Sequence, residues 1–200
     1  MNAIRILLLC GAVLVFSGCK KAKFDGAKAM AETEALVKIS PRDAGGGGAR
    51  RAAVQLESRL KALGLKTTID TFSEDTPNGK MHFNNVLARI PGKTNRLIVL
   101  TSHFDTKSGI SKDFQGANDS GSSSGVLMEL ARVLKKRGTL ETEFLIAFLD
   151  GEECRTEYGP HDGSAASVRQ GWGAGVRAIG SRTVKVEPTR AWLLARISPP

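Results

Sequence analysis

Apolar positions along this chain keep helical spacing as far as residue 63 and then switch to strand spacing. Lys28 to Lys38 reads as a helix with Ala31, Ala35 and Leu36 available for one face. Ala53, Leu56, Leu60 and Leu63 recur every three or four residues, with Gly64 after the last, which predicts an amphipathic helix with a glycine stop. Between them Ser40-Pro41 and the run Gly45 to Gly48 predict a flexible break that packs little. From Leu65 the period becomes two: Lys66 to Phe72 and His82 to Ile90 alternate as strands do, around a turn containing Pro77-Asn78-Gly79. Residues 97–102 and 144–149 are continuous apolar runs, expected for central strands covered on both faces. Val126, Leu127, Leu130, Ala131, Val133 and Leu134 place a helix between them, ending near Lys136. Strand, helix and buried strand in that order predict a βαβ crossover. The fold class is therefore α/β, with a mixed, mostly parallel central sheet flanked by helices.

Composition changes this picture mainly at the ends. The net charge of +9 points to an anionic partner only until the charge is located. Six basic groups against one acid lie in residues 164–200, and Lys20, Lys21 and Lys23 form a second cluster. No basic stripe interleaved with aromatics lies between them, so no nucleic-acid partner is expected. Arg5 followed by the apolar run Ile6 to Phe16 has the length of a signal peptide and is short for a membrane span. Phe16-Ser17-Gly18-Cys19 resembles a bacterial lipoprotein box. Residues 1–18 then form the leader, Cys19 takes the lipid, and the chain is exported and anchored to a membrane surface of the bacterial envelope. An ordinary signal peptide cut nearby is the alternative. Residues 19–27 read as a tether, 28–163 as the α/β domain and 164–200 as a basic tail. With Cys10 in the leader and Cys19 lipidated, Cys154 stands alone and no internal disulfide is available.

Three short blocks carry the candidate chemistry. His103-Phe104-Asp105 closes the first buried run, Gly116-Ala117-Asn118-Asp119-Ser120-Gly121 precedes the central helix, and Asp150-Gly151-Glu152-Glu153 closes the second run. The carboxyl ends of strands are where an open α/β sheet keeps its ligands. His103 and Asp105, two apart in extended chain, face one side while Phe104 turns away. Each block has an ordinary reading: a surface His/Asp pair, a helix cap at Asp119 or Ser120, a solvated Glu152-Glu153 turn. Their coincidence in one crossover unit favours a metal site, and oxygen with imidazole donors suits zinc.

The segments Ser102 to Lys107, Phe114 to Ser120, Leu127 to Ala131 and Phe148 to Glu153 resemble the zinc aminopeptidase and glutaminyl-cyclase family, metallopeptidase family 28. Ser40-Pro41-Arg42 through Leu63-Gly64 also looks like that family's entry helix. The resemblance implies a zinc exopeptidase-like fold with one or two zinc ions. It makes His103, Asp119 and Glu153 metal ligands, Asp119 bridging where two ions bind. Glu152 becomes the general base, Asp105 supports His103, and the peptide bond after Asp119 is strained. The activity it implies is an aminopeptidase-type exopeptidase acting on peptide N-termini through metal-activated water. A single-zinc glutaminyl-peptide cyclotransferase is the alternative, and a non-catalytic envelope lipoprotein that keeps only the scaffold is another.

By motif, the resemblance ends at Asp162-Gly163. A later acid and a final histidine expected as ligands have no counterpart after His161. The tail reads as out-of-frame translation, or as a short native ending that packs Trp172 and Trp192 on the sheet. On this reading the sheet is incomplete at the C-terminus and turnover is impaired.

Overall fold

The computed structural model describes residues 22–76, 79–153 and 195–197. Cys19, Cys154, His161, Trp172 and Trp192, and the readings attached to them, lie outside the described residues. Helix α1 spans Gly26–Val37 and is capped by the Asp25 carboxylate, which accepts from the Ala27 and Lys28 N–H groups. α1 thus starts two residues before the helix expected from Lys28. α1 buries Ala29, Thr33 and Leu36, so its inner face is turned from the one expected, and Ala31 is exposed. Helix α2 spans Gly47–Ala62 and buries Ala49, Ala52, Ala53, Leu56 and Leu60.

The glycine run proves to be a packed element instead of a flexible break. Gly46 caps α2 and Gly48 is buried within its first turn. A Cβ on Gly48 would sit 1.8 Å from the Pro41 carbonyl oxygen. The glycines permit this close approach, which their composition alone does not reveal.

Strands β1 (Lys66–Thr76) and β2 (Gly79–Ile90) form an antiparallel hairpin, with Lys66 opposite Arg89. β3 (Gly92–His103), helix α3 (Ser123–Lys136) and β4 (Leu140–Leu149) form the expected crossover. β3 and β4 are parallel, with Ile98 beside Phe144 and His103 beside Leu149. The short strand β5 (Ala195–Ile197), from the tail, lies antiparallel to β3. The strand order is β1-β2-β4-β3-β5. The sheet is mixed, as expected, but parallel pairing is confined to β3 and β4 among the described strands. The hairpin is the reason, since a short turn can join only antiparallel strands.

The main core lies between the sheet and the three helices. Leu36, Leu56, Leu60, Leu127 and Met128 meet Val86, Ile90, Leu100, Ile146 and Phe148 there. Leu97, Val99 and Leu145 are buried on the other face of β3 and β4, which accounts for their unbroken apolar runs. Phe104, Leu127, Ile146 and Phe148 have no exposed surface, and each contributes about 1.5–3 kcal/mol of burial.

Candidate metal centre

The parallel register brings the carboxyl ends of β3 and β4 side by side. The Phe104 N–H donates to the Leu149 carbonyl at 3.0 Å, and the Phe104 ring enters the core. His103 and Asp105 therefore face away from the core together, as their spacing predicts. Between β3 and α3, Gly116 takes a left-handed conformation at φ 52 and opens an irregular helical turn over residues 117–122. A Cβ at Gly116 would meet the Asp119 carbonyl and the Thr106 methyl at 2.6 Å. Asp119 interrupts the turn with extended backbone, and the peptide bond that follows it is cis.

This geometry gathers the three expected ligands. One donor atom each from His103, Asp119 and Glu153 lies within 4.8 Å of the others. His103 Nε2 is 2.9 Å from Asp119 Oδ1. On the other side of the ring, Nδ1 faces Asp105 Oδ1 at 3.4 Å and Glu152 Oε2 at 3.9 Å. The contact with Asp105 is an ion-pair approach, and neither buried atom has a hydrogen-bond partner. Asp105 Oδ2 accepts the Glu153 N–H at 2.8 Å. One enclosed carboxylate thus steadies two of the three ligand segments.

The electrostatics of the cluster favour a cation. Burial pushes Glu153 up to about 7, with repulsion from Glu152 and Asp119 adding and His103 opposing. Burial likewise raises Glu152, against the attraction of His103. For His103 burial acts downward, but Asp105 and Asp119 outweigh it and hold the imidazole up to about 10. His103 keeps Asp119 below the usual carboxylate range. A divalent cation among these groups would relieve the carboxylate repulsion and take over the role of the imidazolium.

The donor set, one imidazole and two carboxylates, fits zinc. Asp119 has a side chain 70% exposed, so one side of the cluster opens to solvent. Three protein ligands and an open fourth position are what a catalytic zinc site needs. Among the described residues no other group of this kind occurs.

Two residues near the site were quoted in the sequence motifs without a role. Asp150, with no exposed surface, accepts the N–H groups of Gly45 and Asn84 at 3.0 Å. Burial and the Asp105 charge push it up to about 7. Arg42 is enclosed beneath the strand ends. The pattern of a lone polar residue among small ones does not separate a buried position from a surface one, so neither stood out.

A mixed α/β sheet with a His/Asp/Glu cluster at its strand ends defines a metal-dependent α/β enzyme scaffold. Comparisons narrow this class: residues 85–179 match Peptidase family M28. The match extends beyond Gly163, where the motif resemblance ends. The Drosophila melanogaster glutaminyl-peptide cyclotransferase is 32% identical over 108 residues, 52% of this chain and 30% of that protein. A solved glutaminyl cyclase from an Acidobacteriales bacterium shares 28% identity and a TM-score of 0.68, covering 76% of this chain and 54% of that one. A Zn-dependent exopeptidase from Parabacteroides distasonis, 24% identical with a TM-score of 0.63, shares the fold over 76% of this chain and 56% of its own. The resemblance to metallopeptidase family 28 is thereby borne out, and these relatives are enzymes. The chain spans roughly a third of the curated relative and about half of the solved structures.

Proposed function

We propose that this chain carries the metal site of a zinc-dependent enzyme acting at peptide N-termini, with glutaminyl cyclisation as its reaction. The observation that carries the reading is the convergence of His103, Asp119 and Glu153 within 4.8 Å, with the half-buried Glu152 beside them. Curated relatives that include a glutaminyl-peptide cyclotransferase and two glutaminyl-peptide cyclotransferase-like proteins favour cyclisation over the exopeptidase reading that leads from sequence alone.

When bound, zinc supplies Lewis-acid polarisation of a carbonyl oxygen. The chain's own groups do the rest. His103, Asp119 and Glu153 hold the ion, and Asp105 fixes the imidazole and the Glu153 backbone. Glu152, raised by burial, accepts a proton from the substrate α-amine as that nitrogen bonds to the side-chain amide carbon. It returns the proton to the amide nitrogen, which leaves as ammonia while the C–N bond breaks. In an exopeptidase the same carboxylate takes the proton of a water that attacks the first peptide carbonyl.

Product analysis separates the readings. A zinc-loaded chain given a peptide with N-terminal glutamine yields a pyroglutamyl peptide and ammonia if it is a cyclase, and free glutamine if it is an exopeptidase. Slow turnover is expected of a chain that spans about half of its solved relatives. Free glutamine in place of the pyroglutamyl peptide would overturn the cyclase reading, and neither product at any concentration of the loaded chain would leave the non-catalytic scaffold standing. We further propose that Cys19 is lipidated and holds the exported domain at the membrane surface of the bacterial envelope.

A further inference from the structure

Beneath the donors lies a cation that the proposed chemistry does not use. Arg42 has no exposed surface, and its guanidinium donates to carbonyls from three separate segments. Nε reaches the Phe104 oxygen at 2.7 Å, Nη1 the Ile39 oxygen at 3.1 Å and Nη2 the Gly116 oxygen at 3.3 Å. Its backbone is fixed as well. The Arg42 N–H donates to Thr106 Oγ1 at 2.9 Å, and its carbonyl accepts the Thr106 N–H at 3.0 Å.

Two of those carbonyls adjoin metal ligands. Phe104 follows His103. Gly116 opens the turn that carries Asp119, and its oxygen also accepts the Gly121 N–H at 3.0 Å, closing that turn. Burying a guanidinium is costly, and an apolar side chain of similar volume often serves stability as well or better. A buried fork of donors aimed at backbone carbonyls instead fixes geometry, which an ammonium cannot reproduce. The Asp105 charge keeps Arg42 protonated even though burial pushes it down to about 10.

We propose that Arg42 is a positioning residue: by bridging the Phe104 and Gly116 carbonyls it sets the separation of His103 and Asp119, and with it the affinity and symmetry of the metal site. This rests on the metal-centre reading above. The Arg42 side chain bonds to backbone carbonyls of Phe104, Ile39 and Gly116 and so acts on the donors only through the backbone.

The test is a titration of the full, metal-free chain with Co²⁺, followed by visible absorption, for wild type, Arg42→Lys, Arg42→Gln and Leu60→Ala. Leu60 is buried in α2, a helix that carries none of the donors, and controls for lost stability. Both Arg42 variants should bind Co²⁺ about 10–100-fold more weakly, the range for lost support of ligands, with a shifted spectrum. Leu60→Ala should lower Tm yet bind as wild type does. Arg42→Lys binding within twofold of wild type, with the same spectrum, would overturn the inference alone. So would an equal loss in Leu60→Ala. A wild-type chain that takes up no Co²⁺ would overturn the metal reading and the inference with it. For a variant largely unfolded without metal, the rise of Tm with Co²⁺ concentration reads the same affinity. A rise parallel to wild type again counts against Arg42.

Discussion

Glu152 and Glu153 are adjacent and chemically identical, yet the fold gives them different neighbours. Glu153 groups with His103 and Asp119, while Glu152 lies 3.9 Å from His103 Nδ1. Their substitutions should therefore separate. Glu153→Ala and Asp119→Ala each remove a donor and should weaken zinc retention by more than the about 10–100-fold typical of lost indirect support, which is the range expected for Asp105→Asn. Glu152→Gln should keep zinc and abolish turnover. Metal content after dialysis against a weak chelator checks all four, and equal zinc in wild type and the two ligand variants would refute the assignment. These residues were legible in sequence because strand ends and a helix start fix where acids and imidazole project. Arg42 and Asp150 were not, because their roles depend on distant partners such as Phe104 and Asn84, 62 and 66 residues away.

Among the elements, the start of α2 shows what patterning misses. Apolar spacing places the helix correctly from Ala53 onward, but its first turn depends on backbone approach. Gly48→Ala would press a methyl into the Pro41 carbonyl and should cost about 1–3 kcal/mol, the usual range for overpacking. Gly26→Ala, with nothing within 4 Å of the added carbon, should instead be neutral or slightly stabilising. Thermal melting of both variants checks the contrast. On α3, Glu129 is 2% exposed and paired with Arg132 through two bonds of 2.6 Å, while accepting the Asp25 N–H at 2.9 Å. Arg132 holds Glu129 below its ordinary 4.5, against burial, and the Asp25 N–H adds to the effect. A depressed carboxylate stabilises the fold above the unfolded pKa and loses that contribution as pH falls through the folded value. Glu129→Gln should therefore cost about 1–3 kcal/mol at neutral pH, and the gap from wild type should close in acid below its ordinary 4.5. Denaturant melts at two pH values measure it.

For the molecule as a whole, the α/β class and the crossover followed from hydrophobic period alone, since two continuous apolar runs around a helix admit few arrangements. The balance of parallel and antiparallel pairing did not follow, because period does not say on which edge a hairpin docks. The proposed lipidation of Cys19 also acts at this scale: Cys19→Ser should move the protein from the membrane fraction to the soluble one and abolish lipid labelling. Unchanged partitioning would point to an uncleaved leader as the anchor.

The site is built on the β3–β4 register, and this orders events in time. His103 and Glu153 are far apart along the chain and come within reach only when Leu149 has settled beside His103. Non-local pairing of this kind carries its loop-closure cost before any contact rewards it. An ion would therefore be captured after the crossover has closed, too late to guide the search for the fold. Its effect should fall on the reverse step: the loaded chain is expected to unfold more slowly than the bare one, with the refolding rate unchanged.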